Sequence, residues 1–457
     1  MDVQRGIVYA PLGSPTTDFY GADRTGDGLY GNSLVALNAR TGRKLWHQQI
    51  VHHDLWDYDL AAPPALFDIE RNGRAIPAVA QVTKMGLLFV FNRVTGEPVY
   101  GMEKRPVAAS TVPGEVSAKT QPFPLKPPPL ARNTFRMEDM YDRSPEQAKF
   151  CHELFESNQM KIGGPYAPMP VEANVLLFPS TLGGGNWGGV SVDPGQGLLF
   201  VNVMHVGQWG HMEKRGDQYA RTSAYGPYAR FWNRETRIPC NNPPFGEIVA
   251  VNLATGDIEW RSPLGRIEAL EAIGVRDTGT LNMGGSIATG GGLVFIGATN
   301  DSQFRAFSSS DGRLLWETKI EASAHTSPIT YMGRDGRQYV AVMAAGGGGL
   351  LGGGSSNALV AFALPDIPRK PLTTAVSKAV AAKPGPHRPL ELPAGGSKAL
   401  AERTCGSTCH SMEVVTSQRM KAAEWRALIQ NMVARGAQAS DAEVDALSDY
   451  FGRTLEK

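Results

Sequence analysis

The chain has no long hydrophobic run, no excess of either charge and only four cysteines. A helical membrane span needs about 20 predominantly apolar residues in a row, and no stretch of the 457-residue chain approaches that. The charges nearly cancel, 45 Lys and Arg against 44 Asp and Glu, and no basic stripe emerges, which excludes a nucleic-acid surface as the organising feature. Nor do the first residues read as a secretory leader. Instead of a basic start and an apolar core, Met1-Asp2-Val3-Gln4-Arg5-Gly6-Ile7-Val8-Tyr9 passes directly into a strand-like run. Either the start is displaced, or these residues are the C-terminal part of a longer protein whose export signal lies upstream.

Glycine is abundant: 52 residues, beside 32 prolines, with no collagen-like period. They flank short apolar runs such as Gly292-Leu293-Val294-Phe295-Ile296-Gly297, the pattern of many turns joining many strands. The length exceeds what one ordinary core accommodates, so a large all-β body with a smaller domain is expected.

The body is repetitive. Ser33-Leu34-Val35-Ala36-Leu37-Asn38-Ala39-Arg40-Thr41-Gly42-Arg43-Lys44-Leu45-Trp46 is echoed by Glu247 to Trp260 and again by Phe304 to Trp316. Each copy reads as a strand, a tight turn whose glycine takes positive φ, and a second strand closed by tryptophan. Such hairpins recur in propeller blades, where the Trp packs between neighbouring sheets and its N–H needs an acceptor. Met1 to about Pro365 holds roughly four to five blade equivalents, so an incomplete larger ring is expected. A proline-rich insertion from about Gly101 to Pro179, with a helical stretch from Pro145 to Glu156, is expected on a rim. Residues 367–397, rich in Pro, Ala and Lys, have the composition of a linker.

The segment after it, 398–457, carries Cys405-Gly406-Ser407-Thr408-Cys409-His410. This resembles the c-type haem attachment motif, with two thioether-forming thiols and an iron-ligating His, although three residues rather than two separate the cysteines. The competing readings are a disulfide and a zinc site, but structural zinc wants four ligands and one Cys pair with one His is all that lies nearby. Trp425 to Val433 and Ala442 to Tyr450 read as amphipathic helices, as in a small all-α cytochrome c domain. Met432 is the expected sixth iron ligand, with Met420 and Met412 as alternatives. Cys151 and Cys240 lie far from this motif; their pairing is left open by the sequence.

Several stretches of residues 1–366 together resemble the pyrroloquinoline quinone (PQQ) dependent dehydrogenases, eight-bladed quinoproteins, and most closely their membrane glucose dehydrogenase-like branch. They are His52-His53-Asp54-Leu55-Trp56-Asp57-Tyr58-Asp59, Gly184-Gly185-Asn186-Trp187-Gly188-Gly189 and Asn282-Met283-Gly284-Gly285-Ser286, with the closing stretch Tyr339 to Pro365. The resemblance implies oxidation of an alcohol or sugar hydroxyl by PQQ, assisted by Ca²⁺ or a lanthanide as Lewis acid. It implies Asp2 as catalytic base and calcium ligand, and Asn186, Trp187 and Asn282 as PQQ contacts. The His52–Asp59 segment reads as a rim loop held by its own hydrogen bonds. Leu29 stands where the family commonly carries Lys or Arg, Gly348 where glucose dehydrogenases often carry His, and the family's N-terminal blades have no counterpart.

Taken together, the expectation is a periplasmic quinohaemoprotein dehydrogenase, passing electrons from substrate through the haem to a quinone or cytochrome. The alternative from another class is a non-catalytic propeller scaffold carrying an electron-transfer cytochrome c.

Overall fold

The computed structural model describes residues 1–71, 73–365, 397–405, 415–416, 420–434 and 439–455, with the backbone alone at 349–350, 402–405 and 431–434. Its contacts divide the chain into two units, Met1–Ile367 and Pro368–Lys457.

The first unit is built mainly of antiparallel sheets. Five of them follow one another along the chain as propeller blades do. Their strands are Ile7–Pro11, Ser33–Asn38 and Lys44–Gln49; Ala65–Arg71, Arg74–Val82 and Leu88–Asn92; Ser191–Asp193, Leu198–Met204, Gly246–Asn252 and Ile258–Pro263; Ser286–Thr289, Leu293–Ile296, Gln303–Ser308 and Leu314–Lys319; and Ile329–Met332, Gln338–Ala344 and Ala358–Ala363. The blade count expected from the repeats is therefore realised.

Each sheet shares an apolar seam with the next. Tyr9 and Leu34 meet Val79 and Phe91; Val82 and Val90 meet Leu199 and Val251; Phe200 and Ile248 meet Val294 and Phe307; Phe304 meets Val340, Val342 and Phe362. These are mostly β-branched and aromatic residues, the kind that buries sheet faces against one another.

The repeated hairpins fold alike in detail. Ala36 pairs with Trp46, Ala250 with Trp260 and Ala306 with Trp316, and in each case the register shifts at the following residue. Asn38 and Asn252 hold their turns by accepting the amides of Thr41 and Thr255. Asn92 does the same for Val94 and Thr95, which reveals a further copy of the turn that the repeat search did not isolate.

Trp46 and Trp260 lie between sheets, as expected, whereas Trp316 rests against Phe362 of the next sheet and stays 38 % exposed. Trp46 Nε1 donates to the Arg93 carbonyl at 3.2 Å and Trp260 Nε1 to that of Ser309 at 3.0 Å. Gly96 and Gly312, at φ +80° and +71°, lie against the faces of these rings, where a Cβ would come within 2.8 and 2.4 Å of an indole carbon.

The insertion forms its own layer. Helix Pro145–Ser157, close to the expected bounds, packs on Trp209, Phe231 and Phe245. Cys151 and Cys240 form a disulfide that fastens this helix to the segment before Gly246. Strands Lys161–Ile162, Val175–Leu177, Gln208–Arg215 and Gln218–Thr222 make a further sheet here, with a parallel pair at one edge.

The second unit is helical where described. Helices Lys398–Cys405, Ala422–Ala434 and Asp441–Leu455 surround Ala401, Trp425, Ile429, Leu447 and Phe451. The expected helices at Trp425 to Val433 and Ala442 to Tyr450 fall within the last two.

Candidate active site

The His52–Asp59 loop is the starting point. Asp54, 2 % exposed, accepts the amides of Trp56 and Tyr58 and the Asn32 side chain. These bonds hold the loop, as the sequence suggested, and they aim its next two carboxylates at a lysine. Asp57 is at φ +60°, a strained setting for a non-glycine residue. Lys84 reaches it from the turn between Arg74–Val82 and Leu88–Asn92.

The Lys84 ammonium is 3.0 Å from both Asp57 Oδ1 and Asp59 Oδ2 and donates to the Asp57 carbonyl at 2.8 Å. Burial pushes the Asp57 carboxyl up to about 7, more than Lys84 can offset. Burial acts in the same direction on Asp59, but Lys84 and the Ser14 amide override it and hold Asp59 at about 2. The environment thus separates two neighbouring carboxylates into a permanent anion and a group that exchanges its proton near neutrality.

Around this trio lie Arg221 and Arg230, both buried, and Tyr228, whose hydroxyl points at Asp18 Oδ2 at 3.4 Å. Phe19 covers Arg221, its ring centre 4.6 Å from the guanidinium carbon.

The segment carrying Asn186 and Trp187 runs alongside. Gly184 N donates to the Lys84 carbonyl at 2.6 Å and Gly185 N to that of Thr83 at 3.1 Å. A Cβ on Gly183 would meet Lys84 Cα at 2.9 Å, so glycine is what permits the approach. Asn186 holds its own turn, donating to the Leu182 carbonyl at 2.8 Å and accepting the Trp187 amide at 2.9 Å. Trp187 is 58 % exposed, its indole largely uncovered, on the segment whose glycines bond the Lys84 and Thr83 carbonyls.

The remaining predicted residues fall elsewhere. Asn282 is 1 % exposed and fully engaged: it accepts from Asn202 at 2.7 Å and donates to the carbonyls of Val203 and Thr280. That bonding makes it a clamp between sheets. Asp2, expected as base and calcium ligand, is buried against Arg93 Nε at 2.8 Å and Arg5 Nη1 at 3.0 Å. The hydrogen bond from Arg93 takes its carboxyl down to about 2. A carboxylate that weakly basic, with guanidinium groups on it, is suited neither to proton abstraction nor to a divalent cation. The expectation for Asp2 is corrected accordingly: Arg93 also carries the carbonyl that Trp46 and Tyr9 share, so Asp2 secures the first two sheets at their seam. Among the described residues no group of three or more His, Cys, Asp or Glu is placed to hold a metal ion. Cys409 and His410 lie outside the described residues, and of Cys405 and Met432 only the helical backbone is described.

The sequence reading passed over Lys84, Arg221 and Arg230, and gave Asp59 no role beyond its loop. A signal existed for the first: Lys84 is the only charge between Ala75 and Asn92, in a mostly apolar hairpin. Arg221 sits in a polar stretch where nothing marks it for burial.

Residues 1–340 match the family model for the β-propeller domain of PQQ glucose/ethanol/alcohol dehydrogenases. The chain is similar to a quinate/shikimate dehydrogenase (quinone) of Acinetobacter baylyi, 35 % identical over 75 % of this chain and 45 % of the relative. It is similar also to a probable quinate dehydrogenase (quinone) of Xanthomonas campestris, 36 % identical over 80 % of this chain and 49 % of the relative. It thus spans about half the length of these curated relatives. In fold it is similar to the quinohemoprotein alcohol dehydrogenase of Comamonas testosteroni, with a TM-score of 0.51, 21 % identity and coverage of 84 % of this chain and 50 % of that one. By its sheets, its repeated hairpins and the match over residues 1–340, the chain belongs to the PQQ-dependent dehydrogenase β-propeller family.

Proposed function

We propose that this chain carries part of the active site of a PQQ-dependent dehydrogenase, oxidising an alcohol or sugar hydroxyl and passing the electrons through a c-type haem on its C-terminal unit. The observation that carries the reading is the Asp57–Lys84–Asp59 trio, with the segment that leads to the exposed Trp187 bonded to the Lys84 backbone. Trp187 offers a flat apolar face to a planar quinone, and Lys84 a cation near its oxygens, so these residues fit the group the family implies. Bound there, the quinone would supply a two-electron acceptor for the carbon bearing the hydroxyl.

This chain's own residues handle the proton. Asp57, raised to about 7, is suited to accept the hydroxyl proton, with Lys84 steadying the resulting charge state and Asp59 keeping Lys84 in place. For calcium or a lanthanide, Asp2 does not fit, and no role is assigned to a metal here.

The haem reading rests on Cys405, Cys409 and His410, with Met432 as sixth ligand. The Cys151–Cys240 disulfide supports the oxidising compartment, the periplasm, in which c-type haem is attached. A quinone or a cytochrome is the proposed next acceptor.

The test has two arms. Protein made with periplasmic haem maturation should stain for haem after denaturing electrophoresis, and Cys405→Ala with Cys409→Ala should abolish the stain. PQQ added to the full chain should perturb Trp187 fluorescence and support dye-linked oxidation of an alcohol or sugar. Failure of both responses to PQQ would leave the scaffold alternative.

A further inference from the structure

Trp187, Asn282 and His325 each stand four residues before the first strand of their sheets, which open at Ser191, Ser286 and Ile329. The segments that carry them touch in turn. A Cβ on Gly188 would come within 2.3 Å of the Gly284 carbonyl oxygen, and one on Gly284 within 2.8 Å of the His325 carbonyl carbon. His325 therefore holds in the fifth sheet the place that Trp187 holds in the third. Asn282 spends its amide on a clamp between sheets, whereas His325 spends nothing: both ring nitrogens are buried, and neither has a hydrogen-bond partner among the described residues. A buried polar atom without a partner is costly to keep. Burial takes the imidazole down to about 4, the nearby Ala298 carbonyl opposing this only in part, so the ring is neutral and offers one N–H and one lone pair. Over it lies the strap Gly346–Gly354, made of glycine and two leucines, which has no polar side chain to give the ring. A Cβ on Gly347 would come within 2.8 Å of His325 Cδ2. Ser323 pins the strap at both ends, accepting from Gly346 N at 2.8 Å and donating to the Gly353 carbonyl at 2.7 Å.

We propose that His325 is a hydroxyl-binding residue of the active-site region, which gives one hydrogen bond to a polyhydroxylated substrate and takes one from it, and so selects such substrates over simple alcohols. A neutral imidazole and a pair of hydroxyls match, because each side supplies a donor and an acceptor. A site built to bond a hydroxyl also rejects the analogue that lacks it, since its own polar atoms are then left unpaired. Gly347 is the residue that must shift for a ligand to reach the ring. The assignment deepens the dehydrogenase reading and rests on it for the identity of the bound molecule as substrate.

The experiment is equilibrium dialysis of the full chain, with and without PQQ, against radiolabelled quinate, D-glucose, glycerol and 1-propanol. At least one of the three polyhydroxylated probes should bind, and His325→Phe should weaken it about tenfold while leaving 1-propanol within about twofold. His325→Gln, which keeps a donor and an acceptor, should recover most of the loss. On the unmodified chain labelled with ¹⁵N-histidine, saturation with that probe should shift both ring-nitrogen resonances of His325, and 1-propanol should not; a merely structural histidine would show neither the shift nor the selectivity. Unchanged binding in His325→Phe overturns the proposal, as does the failure of all three probes to bind, or binding that leaves the ring resonances in place. If His325→Phe does not fold, the resonances of the unmodified chain decide. A probe held through His325 by a chain that binds no PQQ would remove the quinone reading and leave this one. PQQ-supported oxidation with an unaltered KM in His325→Phe would do the reverse.

Discussion

At the scale of single residues, two aspartates illustrate opposite uses of a carboxylate. Asp57 gains its high proton affinity from burial, so the reaction it serves should rise with pH along a limb near 7. Asp57→Asn is expected to lower dye-linked turnover about a hundredfold and to abolish that limb, leaving PQQ binding intact; a variant that keeps the limb would reassign the base. Asp2 works the other way. Its folded carboxyl lies near 2 against an ordinary 3.8, so the stability it contributes is complete above the unfolded value and is lost as pH falls toward 2. Removing one partner of this buried pair by Asp2→Asn should cost about 3 kcal/mol at neutral pH. Thermal melts of the two proteins should converge as the solution is acidified. The sequence alone could not distinguish the two aspartates. Asp2 stands just before a predicted strand, where resemblance placed a catalytic group, and only the Arg93 side chain arriving from another sheet shows it to be structural.

At the scale of elements, the hairpin with its turn glycine and closing tryptophan carries both the legible and the illegible part of the fold. Its register and the inter-sheet position of Trp46 and Trp260 follow from local rules, so the sequence was sufficient for them. The contact between Gly312 and Trp260 is not local: the glycine of one blade receives the ring of the preceding one. Gly312→Ala should therefore cost more than the loss of positive φ alone, at least about 2 kcal/mol, read as a shift in denaturant midpoint at constant slope. The disulfide belongs to the same scale. Sequence left the pairing of Cys151 and Cys240 open because 89 residues separate them and nothing local records their approach. Closing a loop that long typically stabilises by about 2–4 kcal/mol, so Cys151→Ala with Cys240→Ala should lower the melting temperature, and reductant should then have no further effect.

At the scale of the whole molecule, the two units ask to be understood through a rate. If the C-terminal unit carries the haem and the propeller the oxidation site, joining them in one chain makes their encounter intramolecular. The effective concentration is then set by the connecting segment, on the order of millimolar for a short flexible linker, and is independent of how much protein is in solution. Mixing substrate with the PQQ-loaded full chain in a stopped-flow instrument should reduce the haem at a rate that does not change when the protein is diluted tenfold. The same units produced as two polypeptides, divided between Ile367 and Pro368, should show haem reduction whose rate falls in proportion to dilution. A full chain whose haem reduction slows on dilution would mean that electrons leave the propeller for the haem of another molecule, and the tether would then serve something other than the internal transfer.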